Sequence, residues 1–199
     1  MIPLLSNLAR RFTLLAFMAL PIIMKAETAT NLVLFDFQAR TTAPNWEVVN
    51  DSVMGGVSTS QFQLQTNGGA VFSGNVRLEN NGGFASVRST AVRGNLIGLG
   101  AFVLRVRGDG HRYKFSVRSE PGFDTPLYQC NFLTKPGEWE EHRLSFTDFV
   151  PTYHGRVLTD APPLNPAKVN SVGFLISDKQ AGPFRLEIGW IKASPTTAP

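Results

Sequence analysis

Cysteine is nearly absent from this chain of 199 residues: Cys130 stands alone. No internal disulfide can form, and the cysteine count says nothing about redox compartment. Within L-Y-Q-C-N-F-L, Cys130 shares an alternating face with Tyr128 and Phe132. That position predicts a small buried hydrophobe rather than a nucleophile. Charge is scarce as well, at 17% of residues, below the usual quarter. Most of the net charge of +4 belongs to the amino terminus, where residues 1–26 hold Arg10, Arg11 and Lys25 and no acid. Without them, 16 basic and 15 acidic side chains remain. A large basic footprint is missing, which argues against nucleic acid as a partner.

Catalytic signatures are missing too. There is no G-x-S-x-G and no phosphate loop, and G-D-G at 108–110 reads as a hairpin turn. His111, His142 and His154 lack the spacing of zinc ligands, and no EF-hand spacing is present. Glu140 and Glu141 are adjacent, so a strand would send them to opposite faces, unlike a paired acid and base. The expectation is a non-catalytic chain with no cofactor, no metal and no catalytic residues. Helical periodicity is absent beyond a turn or two.

Long apolar runs are limited to residues 12–24, which follow Arg10-Arg11. A basic start and a short apolar stretch read as a secretory leader over residues 1–26, cleaved near Ala26 or Ala29. The stretch is short for a membrane span, so no stable span is expected after cleavage. The mature protein is then exported, to the periplasm or beyond the cell. The alternatives are an uncleaved membrane anchor and a mitochondrial presequence.

What the chain does have is phenylalanine, glycine and proline: 15 Phe, 18 Gly and 13 Pro. Phenylalanine in excess over 3 Trp and 3 Tyr suits a packed apolar core. Period-two alternation recurs at 31–37, 46–49, 61–65, 70–78, 84–89, 102–107, 113–118, 126–134, 138–146, 169–177 and 184–192. Short strands between Gly, Pro and Asn turns predict an all-β fold, a β-sandwich of the jelly-roll type with about ten strands. One domain over residues 27–193 is expected, with a polar tail at 194–199. Residues 146–166 read as a long irregular loop, a kind of segment that often carries function.

Two stretches organise the domain. W-E-V-V-N-D-S-V-M-G-G-V-S starts at Trp46, and F-S-G-N-V-R-L-E-N-N-G-G-F-A-S-V-R runs over 72–88. Each sets a polar pair before a double glycine: Asn50-Asp51 before Gly55-Gly56, and Asn80-Asn81 before Gly82-Gly83. Glycine pairs allow backbone angles that a Cβ forbids, and Asn or Asp can close such turns on their own backbone.

Both stretches resemble the signature of the complex I intermediate-associated protein 30 family. So do G-D-G at 108–110, Y-H-G-R at 153–156 and V-G-F-L-I-S-D-K-Q-A-G-P-F-R-L-E-I-G-W-I at 172–191. The resemblance covers roughly residues 31–193. It implies a galactose-binding-like β-sandwich, and its eukaryotic members assist assembly of respiratory complex I. The secretory-type leader departs from that context.

The candidate binding residues are Asn50, Asp51, Asn80, Asn81, Arg88, Asp178 and Lys179. The two polar pairs are expected to meet at one end or edge of the sandwich, with Arg88 reaching toward them. There the donor fork of Arg88 suits a carboxylate or a pair of sugar hydroxyls, and as a plain surface arginine it pairs with Asp51 or Asp178. Turn chemistry alone also accounts for each Asn-Asp, Asn-Asn and Asp-Lys pair. The expected partner is a protein client, for a module that assists assembly or stability of a complex. The alternative is a carbohydrate. Sugars want exposed rings to stack on, so the discriminating feature is where the tryptophans and tyrosines lie.

Overall fold

A computed structural model describes residues 30–39, 45–92, 94–122 and 125–196. The expected secretory leader and cleavage site lie outside the described residues. In chain order the strands are β1 (Leu32–Asp36), β2 (Trp46–Asn50), β3 (Thr59–Leu64), β4 (Ala70–Val76) and β5 (Ala85–Ser89). After these come β6 (Leu99–Arg107), β7 (Arg112–Arg118), β8 (Leu127–Leu133) and β9 (Trp139–Ser145). The last four are β10 (Val150–Tyr153), β11 (Arg156–Val157), β12 (Ser171–Ile176) and β13 (Gly182–Pro195). They form two antiparallel sheets. One runs β3-β4-β13-β6-β9, with β1 also on β13, and the other runs β11-β10-β8-β7-β12-β5-β2.

The alternating pattern decides which side of each strand meets the other sheet. On β7, Tyr113, Phe115 and Val117 point inward and are fully buried. On β12 the inward residues are Val172, Phe174 and Ile176, and on β6 they are Phe102, Leu104 and Val106. The rings interlock edge to face, as in Phe102 on Phe115 (5.1 Å), Phe115 on Phe174 (5.3 Å) and Phe72 on Phe184 (4.9 Å). Such contacts add to the burial of 150–250 Å² that a large aromatic side chain brings. Cys130 lies inward between Tyr128 and Phe132, 8% exposed. Burial, then the nearby Asp148 carboxylate, pushes its thiol up to about 11.

Two expectations need correction. The stretch 146–166 is not wholly irregular, because β10 and β11 pair there as a small hairpin, Thr152 opposite Val157. Its turn uses His154 and Gly155, both at positive φ. Pro151 inside β10 and the shortness of both strands hid the hairpin in the sequence. The supposed tail also begins later, because β13 continues to Pro195 and Ser194 is buried. There Ser194 Oγ accepts a hydrogen bond from Arg143 at 2.8 Å. Among the described residues no helix is long and apolar enough to cross a membrane.

Candidate functional site

The two glycine-paired turns are halves of one structure. Asp51 is 1% exposed, at the start of a short 3-10 turn that follows β2. Its carboxylate accepts the backbone N–H of Ser58 (2.9 Å), the Ser58 hydroxyl (2.5 Å), and the N–H groups of Gly83 (2.6 Å) and Phe84 (3.3 Å). Burial alone would raise its pKa, but these donors outweigh burial and hold the carboxyl below its usual range. Asn80 ties the same turns from outside, its Nδ2 donating to Gly55 O at 3.2 Å. Asn50 accepts the Ser60 hydroxyl at 2.6 Å.

The glycine pairs follow from this closure. In each, one residue supplies a positive φ, Gly55 at 88° and Gly83 at 126°. The other leaves no room for a Cβ: at Gly82 it would lie 2.5 Å from Asp51 Oδ2, and at Gly56 it would overlap the same carboxyl group. The double glycines therefore let two backbone segments close over one carboxylate.

Beside this cage lies a groove of about 720 Å³ on the outer face of the seven-stranded sheet. Its floor comes from outward positions in register. Arg88 on β5 is level with Gly173 on β12, and Gly173 is level with Ser116 on β7, which is level with Gln129 on β8. One row away, Val49, Ser86, Leu175 and Lys114 line up across β2, β5, β12 and β7. On the other side, Ser171, Arg118, Leu127 and Thr152 line up across β12, β7, β8 and β10. Gly173 keeps the centre low, since a Cβ there would strike the Val87 carbonyl. Val53 and Met54, carried by the 3-10 turn, form the lip at the cage end.

The predicted residues divide accordingly. Asn50-Asp51 and Asn80-Asn81 do meet at one end of the sheet, and Asp51 and Asn81 both border the groove. Arg88 does not serve Asp51. It lies opposite Glu47 in the β2–β5 register and pairs with it at 3.0 Å. Ala85, level with Asn50, is three residues away on β5, roughly 10 Å, so the expected Asp51–Arg88 pair does not form. Asp178 pairs instead with Lys114 at 2.7 Å. Burial opposes ionisation of Asp178, but Lys114 outweighs it and holds the carboxyl low. Lys179 is exposed beside it, and both occupy left-handed turn positions, φ 63° and 58°.

The tryptophans and tyrosines stay out of the groove, whose described lining does include the rings of Phe84 and His154. No tryptophan or tyrosine is among its described lining residues. Trp46 packs inside the sandwich on Phe62 (4.9 Å) and Phe35 (5.2 Å). Trp139 is outside, on the other sheet, with the guanidinium groups of Arg105 and Arg107 at 5.4 and 5.2 Å. Trp190 lies under Lys192 Nζ at 3.8 Å. Tyr113 and Tyr128 are buried, and Tyr153 stacks edge-on with His154.

The family model of complex I intermediate-associated protein 30 matches residues 35–188. The chain belongs to this family. It is 30% identical over 183 residues to "Complex I intermediate-associated protein 30, mitochondrial" of Drosophila melanogaster, covering 80% of this chain and 61% of that protein. The protein of the same name from Mus musculus is 28% identical, with 80% and 55% covered. The chain thus spans somewhat over half the length of these relatives. In fold it is similar to the family 11 carbohydrate-binding module of a Clostridium thermocellum cellulase, with TM-score 0.64 and 12% identity. That match covers 85% of this chain and 96% of the module. At this identity the likeness is one of fold, a jelly-roll sandwich of the galactose-binding-like kind.

Sequence reasoning missed most of the groove. Lys114, Ser116 and Arg118 were visible as the polar half of an alternating strand, as was Gln129. Nothing in the alternation says that their side of the sheet is hollow, because the hollow depends on which strands become neighbours. Chemically the groove offers hydroxyls and an amide on its floor, cations at Arg88, Lys114 and Arg118, and apolar surface at Val49, Leu127, Leu175, Val53 and Met54.

Proposed function

We propose that the chain is a non-catalytic binding module whose groove holds a segment of a client protein, and so assists assembly or stability of a protein complex. One observation carries this reading. The described lining of the groove combines Lys and Arg side chains with Asp178, small hydroxyl residues and apolar lips, and its rings are Phe84 and His154, with no tryptophan or tyrosine among them. Peptides satisfy such a surface with side chains of both kinds, whereas sugars gain most from a flat ring. The names of the family relatives, intermediate-associated proteins of complex I, support an assembly role. Carbohydrate remains the competing ligand, and the experiment is chosen to separate the two.

A photo-crosslinking residue is placed at Gln129, inside the groove, and at Gln63, on the far sheet, and cells are irradiated. A discrete protein adduct from position 129, not shared with position 63, is expected. No protein adduct, together with retardation of the purified chain in gels containing β-1,3-1,4-glucan, overturns the reading in favour of carbohydrate.

The site of action is proposed from the expected leader. The Arg10-Arg11 pair before the apolar run supports export, so the mature chain is proposed to begin between residues 25 and 31 in the cell envelope or outside it. Amino-terminal sequencing of fractionated protein checks this. An intact Met1 on cytoplasmic protein excludes it, and a processed chain inside mitochondria places it with its named relatives instead.

A further inference from the structure

Each described carboxylate, lysine and arginine along the groove already has a partner. Asp51 is closed by four donors. Lys114 and Asp178 hold each other at 2.7 Å, and Arg88 holds Glu47 at 3.0 Å. Arg118 donates to the Thr125 carbonyl at 2.9 Å and to the Thr125 hydroxyl at 3.3 Å. A charged ligand would have to break one of these contacts to make its own, and exchanging one exposed pair for another gains little. An uncharged ligand leaves them all in place.

The capacity left over is neutral. Across the middle row, Gly173, Ser116 and Gln129 lie side by side on β12, β7 and β8. The Ser116 hydroxyl and the Gln129 amide make no hydrogen bond to another described residue. Larger apolar side chains flank this row. Leu175 stands one row toward the cage, in line with Val49 through Ser86, and Leu127 stands one row away on the far side. Gly173 has no side chain and Ser116 a small one, so the middle row lies lower than both leucines. The result is a trough that crosses the strands, with aliphatic walls and neutral hydrogen-bonding groups on its floor.

The register sets its dimensions. From Arg88 on β5 to Gln129 on β8 the trough crosses three strand intervals, roughly 14 Å, or about four residues of extended chain. Leu175 on β12 and Leu127 on β8 are two intervals apart, roughly 10 Å, or about three residues. In an extended chain, side chains an odd number of positions apart point to opposite sides. A segment lying along the trough therefore sends one side chain to the Leu175 wall and another, three positions on, to the Leu127 wall. Its main-chain N–H and C=O groups then face the floor, where a hydroxyl and an amide offer both donors and acceptors.

Resting on the reading that the groove holds a client protein, we infer that its occupant is an uncharged extended segment with two apolar side chains about three positions apart, one on Leu175 and one on Leu127. The ion pairs along the trough work against charged competitors, because an acidic or basic side chain would lose water there without gaining a free partner. A neutral sugar would find the same hydroxyl and amide, but Leu127 and Leu175 offer it no flat ring.

The test is selection from a random peptide display library on the intact chain. Enriched sequences are expected to carry two of Leu, Ile, Val, Met or Phe about three positions apart, with uncharged residues between them. The leading peptide, made synthetically, should change in affinity by less than about 2-fold between low and high sodium chloride. It should lose ~10-fold or more when Leu127→Ser and Leu175→Ser are combined. A Glu or a Lys placed between its apolar residues should each weaken it. Trp139→Ser, on the opposite face, should change nothing. Melting curves establish that each variant is folded. Enrichment of acidic or basic peptides, or binding that falls steeply with salt, overturns the inference, and so does affinity indifferent to the leucine variant. If Gln129→Trp abolishes peptide binding while the leucine variant does not, the groove still binds protein and only this inference fails. If no peptide is enriched, the inference fails, and binding of β-1,3-1,4-glucan in its place takes the client reading with it.

Discussion

The cage around Asp51 and the cationic end of the groove lie on the same sheet, a few residues apart, and treat charge in opposite ways. Asp51 is sealed, and four donors from two segments end on its two oxygens. Arg88 and Arg118 border open space, near enough for one charge to depress the other's pKa. A fold that seals a charge has used it to hold its own backbone. Beside the groove, by contrast, Arg88 pairs with the exposed Glu47 and Arg118 donates to the Thr125 carbonyl, contacts at a surface that solvent and ligands reach. The prediction from this contrast is that substitutions in the cage act on stability and those in the groove act on binding.

The largest effect is expected at Asp51. Asp51→Ala strips an acceptor from four donors, and a buried donor left unmade costs about 1–3 kcal/mol. The donors partly rehydrate in the space left behind, so the loss should be about 3–5 kcal/mol in denaturant unfolding. Asp51→Asn keeps the shape but turns an amide toward backbone N–H groups, and about 2 kcal/mol is expected. If either variant melts like wild type while binding is lost, the cage is a binding site after all and the contrast collapses.

This is also where the sequence could be read furthest and where it misled. Paired turns with matching chemistry at Asn50-Asp51 and Asn80-Asn81 pointed to one shared place, and the structure brings them together. The double glycines marked close approach, and the Cβ clashes at Gly56 and Gly82 give the reason. Direction was not legible. A carboxylate beside a tight turn reads the same whether it faces solvent or its own backbone, because period-two alternation stops where the strand stops. Arg88 shows the same limit: its outward orientation followed from Val87 pointing inward, but its partner depended on register with β2. The jelly-roll class was legible because the inward faces of β6, β7 and β12 are apolar or aromatic at alternate positions. The hairpin of β10 and β11 was not, because Pro151 masks so short a pair.

A middle-sized effect is expected in the groove. Arg118→Gln and Asp178→Asn should each change stability by less than about 1 kcal/mol, because both side chains reach solvent and surface charges are weakly coupled to folding. Cys130 provides an independent gauge. It lies on the inner face of β8, next to outward-facing Gln129, and its buried thiol is shifted up to about 11. Labelling by a thiol reagent should be slow in the native chain and fast in denaturant. Asp51→Ala should speed native labelling, because it raises the population of open chain, while Arg118→Gln should leave it near wild type. Equal acceleration by both would mean that the groove carries as much structural weight as the cage.

The smallest effect is the finest test, because it compares two depressed carboxyls of the same sheet. The Asp51 pKa is lower in the folded chain than its ordinary value of 3.8. The sign follows from proton uptake. Near neutral pH, folded and unfolded chains both carry the ionised group, and the bonds to Ser58, Gly83 and Phe84 contribute in full. As pH falls through about 4, the unfolded chain takes up the proton first, so stability drops, and it goes on dropping until the folded carboxyl titrates. The gap in unfolding free energy between wild type and Asp51→Asn should therefore be constant above about pH 5 and shrink below about pH 4. Asp109, Asp178 and Glu187 are also held low, but both proteins retain them, so their contribution cancels in the difference. Asp178 follows the same sign through Lys114. Its side chain is 46% exposed, so the gap for Asp178→Asn should be smaller and should fade in high salt, as surface pairs do. The Asp51 gap, formed by sealed backbone donors, should persist. A gap at Asp51 that is flat across pH, or as salt-sensitive as that at Asp178, would place its carboxylate in contact with solvent and return it to the groove.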